Sequence, residues 1–263
     1  KTGMADLDNL IDGFMYTENI VIAARPSMGK TSLALELAKK VAEQGNKVLF
    51  FTLEMSKERL ADRLICNTAG VNNRRLKRRC LFPDEKKRAN NAVEKLAKLP
   101  IKIVEGQVST TEIKSKIIQE QRERGVDIVF VDFLTKMRNE HRTSKMSTHD
   151  YVGDIANTLQ DIAIDTGVVM VTIAQLNRAV EMRNNKRPIL SDLRESGAIE
   201  EAADLVIFLY RDEYYDTETE DKGIIELIVA KSRDGETGMR KFIYQGEYYR
   251  FLDLNWKHEE KAI

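Results

Sequence analysis

Cysteine is nearly missing from this chain: Cys66 and Cys80 are the two in 263 residues. They have no metal-ligand spacing, and so few thiols exclude a disulfide-stapled scaffold and point to a reducing compartment. Both read as small core or half-buried thiols. Histidine is almost as scarce. His141, His149 and His258 are scattered, and no zinc site can be drawn from them. Charge of one sign is missing too, since Lys+Arg and Asp+Glu are both 42. That balance neither supports nor excludes a nucleic-acid partner, because zero net charge can conceal a locally basic channel. No run of about 18 apolar residues and no signal peptide occurs, so a soluble, cytoplasmic protein is expected. The chain opens Lys1-Thr2-Gly3 without Met, as a fragment of a longer protein would.

What is present is ordinary in amount and informative in pattern. Apolar residues make up 42% and charged residues 32%, values of a globular protein able to bury a large core. Strand-like runs are expected at 19–24, 47–53, 101–104, 127–132 and 167–174, then at 203–210, 224–231, 239–245 and 248–254. Helical patterns fill 31–44, 57–69, 84–99, 110–124 and 148–166. Strands alternating with helices over the first two-thirds predict a mainly parallel α/β sheet covered by helices on both faces. Apolar runs such as IVFVD and VVMVTIA agree, since such strands must be buried on both sides. Near residue 204 the helices stop, which predicts an antiparallel C-terminal extension of the same sheet within a single domain spanning 1–263.

One segment carries most of the functional information. Ile20-Val21-Ile22-Ala23-Ala24 reads as a buried strand, Arg25-Pro26-Ser27-Met28-Gly29 as a tight loop, and Lys30-Thr31-Ser32 as the start of an amphipathic helix. Strand, loop and helix in this order bind nucleotide phosphates, because loop N–H groups form a concave anion site reinforced by the helix N-terminus. Gly29 lets the backbone turn close to the phosphates, Lys30 can reach the β/γ-phosphates, and the Thr31 hydroxyl is placed for Mg2+. Ala24 stands where the usual pattern begins with glycine.

Three further polar residues end apolar runs. Asp132 closes Ile128-Val129-Phe130-Val131 at the carboxyl edge of the sheet, where it can hold Mg2+ through water, facing Thr31. Glu54 follows the next strand in sequence and can orient an attacking water, with a helix cap before Lys57 as its competing role. Gln175 ends VVMVTIA and can sense a γ-phosphate, or simply bond a loop. Two polar stretches, 139–148 and 177–188, lie beyond strand ends, where ligands of open α/β sheets bind, and read as mobile-loop candidates or solvated connectors. The most basic run, NNRRLKRR at 72–79, fits a solvated helix face, a subunit contact or nucleic acid equally well.

Together these residues resemble the C-terminal RecA-like motor domain of DnaB-type replicative DNA helicases, of bacterial or phage kind. The similar segments are ARPSMGKT at 24–31, LEMS at 53–56, IVFVDFL at 128–134 and AQLNRAVE at 174–181. They continue with KRPILSDLRESGAIEEAAD at 186–204, LYRDEYY at 209–215 and VAKSRDGETG at 229–238, so the likeness covers nearly the whole chain. The SDLRESG block is far more specific than the phosphate loop, and Ala24 occurs in this family too.

The resemblance implies a RecA-like P-loop NTPase core and a homohexameric ring around single-stranded DNA, with ATP and Mg2+ at each subunit boundary. It implies that Glu54 polarises the attacking water, Asp132 serves the Mg2+ shell, and Gln175 couples the γ-phosphate to the DNA loops. It further implies that Arg194, Glu195 and Gly197 follow the DNA backbone, and that Lys231 and Arg233 reach into the neighbour's ATP site. Primase and a helicase loader would dock through parts of the full-length protein, such as the N-terminal helical domain, that this chain lacks. Aromatics are absent from 136–147, so backbone tracking is expected over base stacking. The rival expectations are a RecA-like recombinase or clock-type ATPase, and a non-motor nucleotide-binding loader or regulator.

Overall fold

A computed structural model describes residues 1–137 and 148–254; the side chains of Thr135, Thr148, His149, Asp150, Arg194, Glu195 and Ser196 are outside that description. In chain order the elements begin α1 (Ala5–Ile11), β1 (Asn19–Ala24), α2 (Lys30–Glu43), β2 (Val48–Thr52), α3 (Lys57–Ala69), α4 (Asn73–Lys77) and α5 (Pro83–Leu96). They continue β3 (Ile101–Glu105), α6 (Thr110–Glu123), β4 (Ile128–Asp132), α7 (Thr148–Thr166), β5 (Val169–Gln175), α8 (Gly197–Ala202) and β6 (Leu205–Tyr210). The last are β7 (Ile224–Ser232), β8 (Gly238–Gln245) and β9 (Arg250–Asp253). The expected strands and long helices are all found, most boundaries within one or two residues. Two short helices, α1 and α4, were not expected. α1 exists because Leu7, Leu10 and Ile11 sit at helical spacing and are buried in the core.

The strands form one sheet of order β3-β2-β4-β5-β1-β6-β7-β8-β9. From β3 through β6 every pairing is parallel, and from β6 onward every pairing is antiparallel. The change follows from the connections. Parallel neighbours need a crossover helix, whereas β7, β8 and β9 follow one another through loops too short for one.

Side-chain alternation divides the core between the two faces of the sheet. Ile20, Ile22, Phe50 and Phe130 point to the face covered by α1, α2 and α3, where Phe50 and Phe130 stack at 5.6 Å. Val21, Ala23, Phe51, Val129 and Val131 point to the face covered by α6, α7 and α8. Both faces of the central strands are therefore buried, which explains their unbroken apolar sequence. Gly153 of α7 contributes on the second face: a Cβ there would meet the Ala198 side chain at 2.7 Å, so only glycine lets α8 approach this closely.

The 177–188 stretch departs from the expectation of a mobile loop or solvated connector. It contains a 3-10 turn, Arg178–Met182, and is tied at several points. Glu181 accepts from Arg25 at 2.8 Å, Arg183 pairs with buried Asp192, and Arg187 pairs with buried Glu226 at 2.7 Å. Its low apolar content thus reflects charged anchors and not mobility. The companion stretch at 139–148 lies outside the described residues apart from the backbone of Thr148.

Candidate nucleotide site

Parallel strands place their C-terminal ends at one edge of the sheet, and the register brings the predicted residues there. Ala24 pairs with Gln175, and Thr52 pairs with Asp132. The loop after β1, the Glu54 turn after β2, Asp132 and Gln175 therefore share an edge. They line a cleft of 430 Å³ together with Pro26, Ser27, Gly29, Lys30, Thr31 and Ser32. That size suits a ligand of nucleotide dimensions.

The loop is built from backbone conformations that side chains resist. Ser27 has φ 65° and Gly29 φ 101°, both left-handed, and α2 starts at Lys30 directly behind them. Such a turn directs successive N–H groups inward and leaves the first donors of α2 free for an anion. Lys30 Nζ donates to Ala24 O at 2.8 Å and to Arg25 O at 3.1 Å, which holds the cation over the loop. Burial lowers its pKa to about 8, opposed by the nearby Asp132 and Glu54 carboxylates.

Thr31 Oγ1 donates to Asp132 Oδ2 at 2.8 Å. Burial raises the Asp132 pKa, while the Thr31 hydrogen bond and the Lys30 charge oppose the rise. A hydroxyl and a carboxylate side by side at the mouth of a phosphate loop form the hard oxygen donor set that Mg2+ takes when phosphates and water complete its shell. Among the described residues no group of three or more His, Cys, Asp or Glu could hold a metal alone. The fit is thus to a cation that arrives with phosphate.

Glu54 is exposed at the cleft, held out on a turn that the Thr52 hydroxyl closes on Met55 O at 2.7 Å. The cap of α3 is Ser56, whose side chain accepts from Arg59 N, and Glu105 accepts from Lys57 N at 2.9 Å. Glu54 is therefore not the helix cap, and its carboxylate is free to face the cleft.

Two loop residues expected at the nucleotide turn their side chains elsewhere. Met28 is 2% exposed in the core. Arg25 is buried, donating to Glu181 and to Leu176 O at 2.8 Å. Neither side chain lines the cleft, so only their backbones can serve a phosphate.

Four lining residues had no clear sequence signal: Arg63, Phe133, Tyr244 and Tyr249. β8 runs in the same direction as β1, so Tyr244 near its C-terminal end arrives at the nucleotide edge. Its ring lies 3.4 Å from where a Gly29 Cβ would sit, so the loop glycine also makes room for this wall. Arg63 lies 5.0 Å over the Tyr249 ring, within cation–π range. Tyr-Tyr in the final hairpin was visible, but only the antiparallel topology brings it to this edge.

Lys231 and Arg233 are elsewhere. β7 is antiparallel to β6, with Leu205 opposite Ser232, so the end of β7 lies at the sheet edge away from the phosphate loop. Six-residue β6 separates the two edges by roughly 20 Å. Arg233 pairs with Asp204 at 3.0 Å and is half-exposed, while Lys231 donates to Glu200 O at 2.6 Å. Burial, then the Arg233 charge, lowers the Lys231 pKa. The segment of Arg194, Glu195 and Gly197 also lies apart from the cleft lining, in a 3-10 turn (Leu190–Ser196) that runs into α8. The Arg194 and Glu195 side chains are outside the description, and Gly197 is exposed.

Fold and cleft together define a P-loop nucleotide-binding domain of α/β class. The family model described as "DnaB-like helicase C terminal domain" matches residues 1–253, and the chain belongs to that family. Replicative DNA helicase DnaB of Geobacillus stearothermophilus is 36% identical over all of this chain and 58% of its own length. Replicative DNA helicase DnaC of Bacillus subtilis is 37% identical, again over 100% and 58%. The chain thus spans a little over half the length of the curated relatives it matches. Among solved structures, one described as an ATPase domain superposes with TM-score 0.92 at 36% identity, over 97% of this chain and 90% of that one. A DnaB-like replicative helicase, described with its interactions with primase, superposes with the same TM-score and identity over 97% of this chain and 61% of that one.

Proposed function

We propose that this chain is the single-domain ATPase motor of a replicative DNA helicase, which moves along single-stranded DNA as a hexameric ring and separates the duplex ahead. The observation that carries this reading is the shared edge of Lys30, Thr31, Asp132, Glu54 and Gln175 in a chain of the DnaB-like family. A domain that only bound nucleotide would have no use for an uncapped carboxylate held at the mouth of the cleft.

In this reading ATP is the substrate. The backbone from Arg25 to Ser32 cradles its phosphates, and Lys30 neutralises the β/γ-oxygens. Mg2+, when bound through Thr31 and Asp132, supplies charge neutralisation between the phosphates. Glu54 accepts the proton of the attacking water. Gln175 reads the γ-phosphate and passes its loss along the 177–193 stretch toward Arg194, Glu195 and Gly197, which follow the DNA phosphates. Lys231 and Arg233, remote from their own cleft, complete the site of the next subunit by stabilising charge on the transferring phosphoryl group. Primase and loader contacts are assigned to other parts of the full-length protein. Cytoplasmic action in a bacterial or phage-infected cell follows from the same reading.

The test is steady-state ATP turnover with and without single-stranded DNA, paired with unwinding of a forked duplex. DNA-stimulated turnover together with unwinding supports the motor. Strand exchange without unwinding would support a recombinase, and ATP binding without turnover a regulator.

A further inference from the structure

The cations of the 74–88 stretch take no part in the cleft or in the 190–197 segment. Arg74, Lys77, Arg78 and Arg79 are exposed and make no ion pair among the described residues, and the same is true of Lys86 and Lys87 on α5. The nearby acids are spent: Glu85 is buried against Arg75, and Asp84 faces Arg88 at 3.6 Å. In a chain whose net charge is zero, this is a concentrated positive surface. It is not a by-product of general basicity.

Two details make it more than a solvated face. Arg79 has φ 55°, the left-handed position after a helix where glycine is the ordinary residue, so a charged side chain is kept there against backbone preference. Phe82 is 56% exposed beside these cations, with the Arg75 guanidinium 4.6 Å over one side of its ring. Unpaired guanidinium groups around an exposed aromatic ring are what a single nucleic-acid strand recognises: charge for the phosphates, a ring face for a base.

The location separates this surface from the candidate DNA segment. α4 follows α3, which packs on the same face of the sheet as α1 and α2, whereas Leu193 and Ile199 belong to the opposite face with α7. We infer that the 74–88 surface is a second binding site for single-stranded nucleic acid, sequence-independent, on the far side of the sheet from the 190–197 segment. An acidic protein segment would satisfy the cations but leave Phe82 without a role, so the strand is favoured. The inference stands apart from the helicase reading, since it concerns binding and not turnover.

The experiment uses the 263-residue chain and a fluorescent mixed-sequence single-stranded 30-mer, with anisotropy followed across added salt. Arg74→Ser/Arg78→Ser/Arg79→Gly should lower the log–log salt slope by about 2, at about 0.7 per phosphate contact on a single strand. ATP turnover at saturating DNA should match the parent. Phe82→Ala should weaken binding roughly fivefold or more at an unchanged slope, the signature of lost stacking. The glycine at 79 suits the left-handed backbone, so unfolding is not expected; if the melting midpoint nonetheless falls, Arg78→Ser alone should lower the slope by about 0.7. A parental slope in these variants would overturn the inference. So would displacement of the DNA by poly-glutamate of matched charge as readily as by unlabelled strand, or equal affinity for duplex with Phe82→Ala neutral.

Discussion

Arg233 and Lys30 stand at opposite edges of one sheet, the arginine paired with Asp204 and the lysine folded over the loop after β1. β6 lies between them in length, so no rotamer of Arg233 reaches its own cleft. Any catalytic role for Arg233 must therefore be played in a second copy of the chain. The dependence of turnover on assembly follows directly, and specific activity should rise with protein concentration over the range where the ring forms.

Thr31 and Asp132 should act as one unit. Asp132→Asn or Thr31→Ala is expected to weaken Mg2+-dependent ATP binding about 10-fold or more, as loss of a shell partner typically does. Binding measured with excess chelator should change little. A variant that weakened both equally would assign these residues to the loop fold and not to the cation.

Glu54→Gln should retain Mg-ATP affinity and lose roughly 10²-fold or more in hydrolysis rate. Because Ser56 and Glu105 cap α3, the melting midpoint should be unchanged. Loss of stability together with activity would contradict the assignment.

The Lys30 pKa of about 8 gives ATP affinity a pH dependence of definite sign. Phosphate oxygens favour the charged amine and raise its pKa on binding, so between the free and bound values binding takes up a proton. Affinity should be flat below about pH 8 and fall by up to tenfold per unit above it. Lys30→Arg, which stays charged, should abolish that slope. Calorimetry in two buffers of different ionisation heat reads the same proton directly.

The sequence carried most of this fold because the central strands are buried on both faces and bounded by turn residues, a pattern that allows little else. The phosphate loop, Asp132 and Gln175 were legible because each ends an apolar run at the edge where parallel strands must end together. Local sequence could not decide Glu54, since a carboxylate before a helix also reads as a cap; Ser56 takes that place in space. Tyr244, Tyr249 and Arg63 were hidden because only the direction of β8 and the packing of α3 bring them to the cleft. The ordering of 177–188 was hidden too, since its anchors, Arg25, Asp192 and Glu226, are distant in sequence or indistinguishable from surface charges.

Arg194→Ala should lower single-stranded DNA affinity for all sequences alike, reduce the salt slope by about one charge, and spare basal ATP turnover while removing DNA stimulation. An unchanged slope would point instead to an internal ion pair with Glu200 or Glu201.

Mixing two inactive variants tests the shared site most directly. An Arg233→Ala chain keeps an intact cleft but donates nothing, and a Lys30→Ala chain has a dead cleft but donates an intact arginine. Given co-assembly, shown by pull-down of one tagged variant with the other, some boundaries pair an intact cleft with an intact Arg233. A cation of this kind supplies roughly 10³-fold in rate, so even a minority of such boundaries should restore measurable ATP hydrolysis. Recovery that peaks at intermediate mixing ratios is the expected result. No recovery at any ratio, in complexes proven to contain both chains, would contradict a motor whose ATP sites are shared between neighbours.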